Sequence, residues 1–113
     1  MSDSNGIIPD NLFAALPTLR EGEAFEEILR CHNVRLERIV SSHRPDPTLY
    51  DQAEDEWVCL LQGKAELWVA GQTIHLEPGA HCFIPAHTPH RVVRTSAEPP
   101  CIWLAVHIDR GSG

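Results

Sequence analysis

The stretch Pro78-Gly79-Ala80-His81-Cys82-Phe83-Ile84-Pro85-Ala86-His87-Thr88-Pro89-His90-Arg91-Val92 reads as a turn, a short strand, a second turn and another strand. Pro78-Gly79 is turn chemistry, since proline fixes φ and glycine accepts backbone angles that other residues avoid. Residues 81–84 are too few for a helix, and prolines bound them on both sides. The second turn, residues 85–89, places His87 and His90 near the mouth of the following strand. A histidine fixed at a strand mouth is where a β-barrel would put a ligand-binding group. The rest of the chain reads as the barrel that holds this loop.

Outward from that stretch, the same alternation of short strands and turns recurs. Residues 56–62, Glu-Trp-Val-Cys-Leu-Leu-Gln, form a strand apolar on both faces, and Gly63-Lys64 reads as a hairpin turn into residues 65–70. Gly71-Gln72 turns again into residues 73–76. Residues 90–95 form a strand, residues 96–100 a loop, and residues 101–108 a final strand apolar on both faces, as expected of a central position. Upstream, His32-Asn33 separates residues 25–31 from residues 34–40 at hairpin spacing. Val34, Leu36, Arg38 and Val40 there alternate with Arg35, Glu37 and Ile39. Residues 41–48 are a loop containing Pro45 and Pro47, and residues 49–55 are polar and expected to be exposed. Asp10 or Asn11 is placed to cap a short helix over residues 12–16, stopped by Pro17. Many short strands with turns every eight to twelve residues predict an all-β sandwich or barrel. The organisation expected is an arm with a short helical segment at 1–22, a barrel at 23–109 and a tail at 110–113.

Composition sets bounds on function. A chain of 113 residues that is 42% hydrophobic is one globular domain with a modest core. Nine Lys and Arg against sixteen Asp and Glu give a net charge of −7. With no basic patch, nucleic acid and anionic membrane are poor partners. The longest apolar run, residues 101–106, is far short of a membrane span. The first residues carry neither a basic residue nor an apolar signal core, so the expected location is cytoplasmic. Cys31, Cys59, Cys82 and Cys101 form no C-x-x-C pair and are expected to be buried, reduced and structural.

The motifs resemble those of the cupin family, small antiparallel jelly-roll β-barrels. Glu56, six residues and Gly63 match the end of that family's first motif, and Gly79, five residues, Pro85 and then His90 match its second. With the intervening strands, the resemblance covers residues from about 34 to 108. The family's first motif carries a His-x-His pair before the Glu. Here, with three intervening residues, the pair falls on Tyr50 and Gln52; with four, on Leu49 and Asp51. Arg44 stands at the opening Gly, His87 at the Gly of the second motif and Arg94 at its Asn. The chain also looks like a group of short bacterial cupins with Tyr-Asp-Gln … Glu-Trp-Val and Pro-Ala-His-Thr-x-His motifs.

The resemblance implies a divalent metal, Fe, Mn, Ni or Zn, held by the family's two histidines, its Glu and its later His. Only Glu56 and His90 carry over directly. Alternation puts Glu56, Val58 and Leu60 on one face, taken as the barrel interior. The candidate metal set is therefore Glu56, His90, His87 and Gln52, with Tyr50 or Asp51 nearby. Two imidazoles and a carboxylate would make a facial triad. Each residue also has a plainer reading. His90 can be a hydrogen-bonded rim histidine, His87 a solvated turn residue, Glu56 part of an exposed acidic face, and Gln52 a hydrogen-bonding group. His107 interrupts the apolar final strand and reads as a satisfied core histidine, with a place at the cavity as the alternative. His43, His75 and His81 are expected to face outward, and Trp57, Trp68 and Trp103 to be core or interface residues. Two function classes remain: a metal-dependent enzyme on a small organic molecule, such as a dioxygenase or isomerase, and a non-catalytic binder or sensor of a small ligand without metal. A homodimer through the apolar faces of residues 57–62 and 101–108 is the expected assembly.

Overall fold

The structure, a computed structural model, describes residues 6–111. Eight strands make up its regular structure: β1 (Glu23–Cys31), β2 (Val34–Ser41), β3 (Asp55–Gln62), β4 (Ala65–Val69), β5 (Gln72–Leu76), β6 (His81–Ile84), β7 (His90–Thr95) and β8 (Cys101–Ile108). They form a five-stranded sheet, ordered β1-β2-β8-β3-β6, and a three-stranded sheet, ordered β5-β4-β7, with antiparallel pairing throughout. The all-β architecture and the central place of the last strand are as the sequence predicts.

One expected hairpin is corrected. Gly63-Lys64 does not fold β4 back onto β3, because both edges of β3 are already paired, with β8 on one side and β6 on the other. The chain instead crosses there from the larger sheet to the smaller one. Gly63 makes the crossing with φ of +91°, where a Cβ would sit 2.8 Å from Cys101 Sγ and 2.8 Å from Ser96 Oγ. Backbone conformation and lack of space both require glycine at this point. The hairpin at residues 32–33 forms as expected, and the turn expected at Gly71-Gln72 lies one residue earlier, at residues 70–71.

The period-two pattern of β3 turns Glu56, Val58 and Leu60 inward, the face the sequence assigned to the interior. They meet Ile39 of β2, Trp103 and Ala105 of β8, Leu67 of β4, Leu76 of β5 and Ile84 of β6 in one core. Each fully buried large aliphatic side chain contributes about 1.5–3 kcal/mol. The apolar residues fill one end of the space between the sheets. At the other end, the inward positions are Arg35 and Glu37 on β2, Glu56 on β3 and His107 on β8, and a cavity opens there.

The short N-terminal helix is also corrected: among the described residues there is no helix. Asn11 Oδ1 accepts from the Phe13 amide in a local turn, and Ala15 adopts φ of 52°. The carbonyls of Leu12, Ala14 and Ala15 accept from the guanidinium of Arg38, at 3.1, 2.6 and 3.3 Å. Arg38 thus takes the carbonyl groups that a helix would have turned along its own axis, and pins the arm to the outer face of β2. The expectation for the cysteines needs a similar amendment. All four thiols are free, but Cys31 is exposed and Cys59 and Cys82 are half-buried; Cys101 alone of the four is fully buried.

Candidate functional site

The cavity lies between the sheets at the polar end of the core. Tyr50, Gln52, Glu56, His90, Trp103 and His107 line it, with Glu23, Phe25 and Glu37 from the β1–β2 side. Its volume is about 60 Å³. The loop that the sequence marked as exposed supplies two of these groups. A bridge of two backbone hydrogen bonds, Tyr50 N to His90 O at 2.8 Å and His90 N to Tyr50 O at 3.0 Å, fastens that loop to β7. The Tyr50 ring then stacks on the His90 ring with centroids 5.7 Å apart.

His90 is held at both nitrogens. Nδ1 lies 2.9 Å from the Thr88 carbonyl, so that nitrogen carries a proton and donates. Nε2 lies 3.4 Å from Oε1 of Glu56, and both side chains are about nine-tenths buried. Burial pulls the imidazole pKa down. The hydrogen bond to Glu56, the Thr88 carbonyl and the charges of Glu56 and Asp51 outweigh it, so the pKa lies above its ordinary value of 6.5. Burial, and then the surrounding carboxylates, raise the pKa of the Tyr50 phenol, which therefore stays protonated at neutral pH.

A second imidazole stands nearby in a ring of charges. His107, 3% exposed, places Nε2 3.0 Å from Glu37 Oε1 and Nδ1 3.6 Å from Glu54 Oε1. Arg35 closes the ring, 3.3 Å from Glu37 and 3.0 Å from Glu54. On the far side, Trp103 Nε1 donates to Ser41 Oγ, which donates to Glu23 Oε2, at 2.9 and 2.8 Å. Burial raises the Glu23 pKa and the Ser41 bond partly offsets this, with Asp46 adding to the rise. Among the described residues, two buried side-chain polar atoms are left without a partner, Gln52 Oε1 and His107 Nδ1. Such atoms are few in native structures and costly to bury unsatisfied.

The candidates from sequence therefore divide. Glu56, His90 and Gln52 line one cavity. His87 does not: its residue has φ of 60°, its side chain is 72% exposed, and its Nδ1 lies 3.2 Å from Asp51 on the outside. Its contribution is its backbone amide, which donates to the Gln52 carbonyl at 2.6 Å and sets the approach of that loop. Glu23 and Glu37 escaped the sequence reading as site residues, and Trp103 was read as core or interface alone. The place of Glu37 on the same face of β2 as Ile39 was the one visible signal for it.

Residues 38–107 match the family model described as Cupin domain. Among solved structures, the "putative mannose-6-phosphate isomerase" of Ralstonia eutropha superposes with a TM-score of 0.82 at 36% identity, covering 91% of this chain and 99% of that one. The chain belongs to the cupin family. The cupin domain of Schizosaccharomyces pombe Cnp3 (TM-score 0.76, 12% identity, 90% and 74% covered) and KdgF from Halomonas sp. (0.66, 19%, 79% and 81%) share the fold with this cupin. No curated protein matches the sequence.

The divalent metal expected from the family motifs can be tested against the donors that this cupin presents. Such an ion takes three or four N or O ligands about 2.0–2.2 Å away. Among the described residues, no group of three His, Cys, Asp or Glu side chains is placed to hold one. Glu56 and His90 face each other, but the second imidazole of the expected triad, His87, points out of the barrel. With that donor set the side chains do not fit a three-residue metal centre.

Proposed function

We propose that this cupin binds a small organic molecule in the barrel cavity, without a structural requirement for metal, and that Glu56 and His90 act on it as a proton-transfer pair. The observation that carries the reading is Gln52 Oε1, a buried acceptor on a residue of the cavity wall with no partner, which a bound molecule would satisfy. The cavity combines apolar walls with a few convergent polar groups, the usual make-up of a ligand site. His90 Nδ1 is tied to a carbonyl, so Nε2 is the position at which a proton is gained or lost, next to a carboxylate that shares it. Proton removal and return at adjacent carbons is what an isomerisation demands. The name borne by the 36%-identical Ralstonia protein points the same way.

The divalent-metal reading competes with this one, carried by the adjacency of Glu56 and His90 and the free Gln52 carbonyl. Protein purified without tag or chelator distinguishes them. The proposal expects no stoichiometric metal by elemental analysis, and no thermal stabilisation by Fe, Mn, Ni or Zn. It also expects an organic molecule released on denaturation, or stabilisation by small polar organic compounds. One equivalent of tightly held metal that is lost in His90→Ala would overturn it.

A further inference from the structure

We infer that the molecule this cavity takes is a small organic cation, a hydroxylated amine bearing an ammonium group, and not a phosphorylated or carboxylated sugar. The inference rests on the organic-ligand reading above and adds the charge class. Glu23, Glu37 and Glu56 line the cavity and Glu54 stands behind His107. Against these four carboxylates the cavity wall carries no Lys or Arg among the described residues. The nearest guanidinium, Arg35, is engaged by Glu37 and Glu54. Counting Arg35 and both imidazoles as charged still leaves the group one unit negative.

The hydrogen-bonding polarity agrees. Gln52 Oε1, buried and without a partner on a residue of the cavity wall, is an acceptor by nature. It therefore calls for a donor, and an ammonium brings three. The aromatic side chains of Phe25, Tyr50 and Trp103 line the same space, and aromatic rings are favourable neighbours for a cation. A phosphate would need the opposite, a cluster of N–H donors or an unengaged Arg or Lys, and its desolvation beside carboxylates would be unfavourable.

A matched set of three-carbon probes tests charge at nearly constant size: aminopropanediol, glycerol and glycerate, with mannose-6-phosphate as a fourth, titrated calorimetrically into the full chain at neutral pH. The expected order is aminopropanediol tighter than glycerol by about tenfold, the equivalent of ~1.4 kcal/mol, with no heat from either anion. Glu56→Gln should bring the amine within about threefold of glycerol, both probes being titrated into that same variant, since roughly one charge contact is removed. Glycerate or mannose-6-phosphate binding more tightly than the amine overturns the charge assignment while leaving an organic-ligand site in place. No binding by any of the four overturns the ligand reading and the charge assignment together. If Glu56→Gln does not fold, the order of the four probes on the unaltered chain still decides.

Discussion

Nε2 of His90 lies 3.4 Å from Oε1 of Glu56, and the two residues belong to different sheets, β7 in the three-stranded and β3 in the five-stranded one. The contact joins the sheets at the cavity, where the apolar core no longer does so. Because the folded-state pKa of His90 is raised, protonation of the ring and folding support each other. The stabilisation is fully present below the unfolded value near 6.5 and is lost as pH rises through the higher folded value.

His90→Gln should therefore be less stable than the parent by about 1.5–3 kcal/mol at low pH, the size of a hydrogen bond to a charged group. The gap should narrow as pH climbs past the folded pKa. Urea midpoints of both proteins measured at about pH 6 and about pH 9 check this. A gap that is independent of pH would mean that the ring does not titrate against Glu56.

His107→Ala removes the centre of the charge ring and leaves Glu37 and Glu54 with Arg35 alone. Losing a buried hydrogen bond to a carboxylate costs about 1.5–3 kcal/mol. Urea unfolding at neutral pH reads it directly. A loss below ~1 kcal/mol would show the ring to be solvent-screened.

The sequence showed most of the strands because each carries its own pattern. Glu56, Val58 and Leu60 alternate with Trp57, Cys59 and Leu61, which groups them on one face, and the match of Glu56 to the cupin motif marks that face as the inward one. Partners between strands are a different matter. Gly63-Lys64 looks the same locally whether the next strand folds back or crosses to another sheet, since the choice depends on β6 and β8 occupying both edges of β3. The same non-locality concealed Glu37, seventy residues from the His107 it bonds. His87 misled for a backbone reason: its side chain follows a left-handed φ that the spacing of motif letters does not encode. The missing helix traces to Arg38, whose claim on three carbonyls no local propensity contains.

Gly63→Ala should destabilise the fold by ~3 kcal/mol, combining strain at a left-handed φ with overpacking against Cys101 and Ser96. Gly71→Ala separates the two contributions: Gly71 has φ of +89° but nothing within 4 Å of the added atom. Only strain remains there, about 1 kcal/mol. Thermal unfolding of both variants checks the difference; equal losses would remove the packing component.

Assembly is testable at the outer faces of β3 and β8. Trp57, Cys59 and Leu61 on β3, with Leu104 and Val106 on β8, are only half-buried, a stripe of apolar surface suited to a second copy. We expect a homodimer in solution, dissociated by Leu104→Glu. Sedimentation at micromolar concentration distinguishes one chain of 12.6 kDa from two. A single-chain mass for the unaltered protein would refute the pairing.

The tight fit at Gly63 also makes its neighbour a reporter. Cys101 Sγ is fully enclosed, donating to the Lys64 carbonyl at 3.2 Å, in the corner where the chain passes between the sheets. Cys31, in contrast, stands in solvent. A thiol reagent added to the native protein will reach Cys31 at once. It can reach Cys101 only when the two sheets part, so the slow phase of labelling times the opening of the barrel itself.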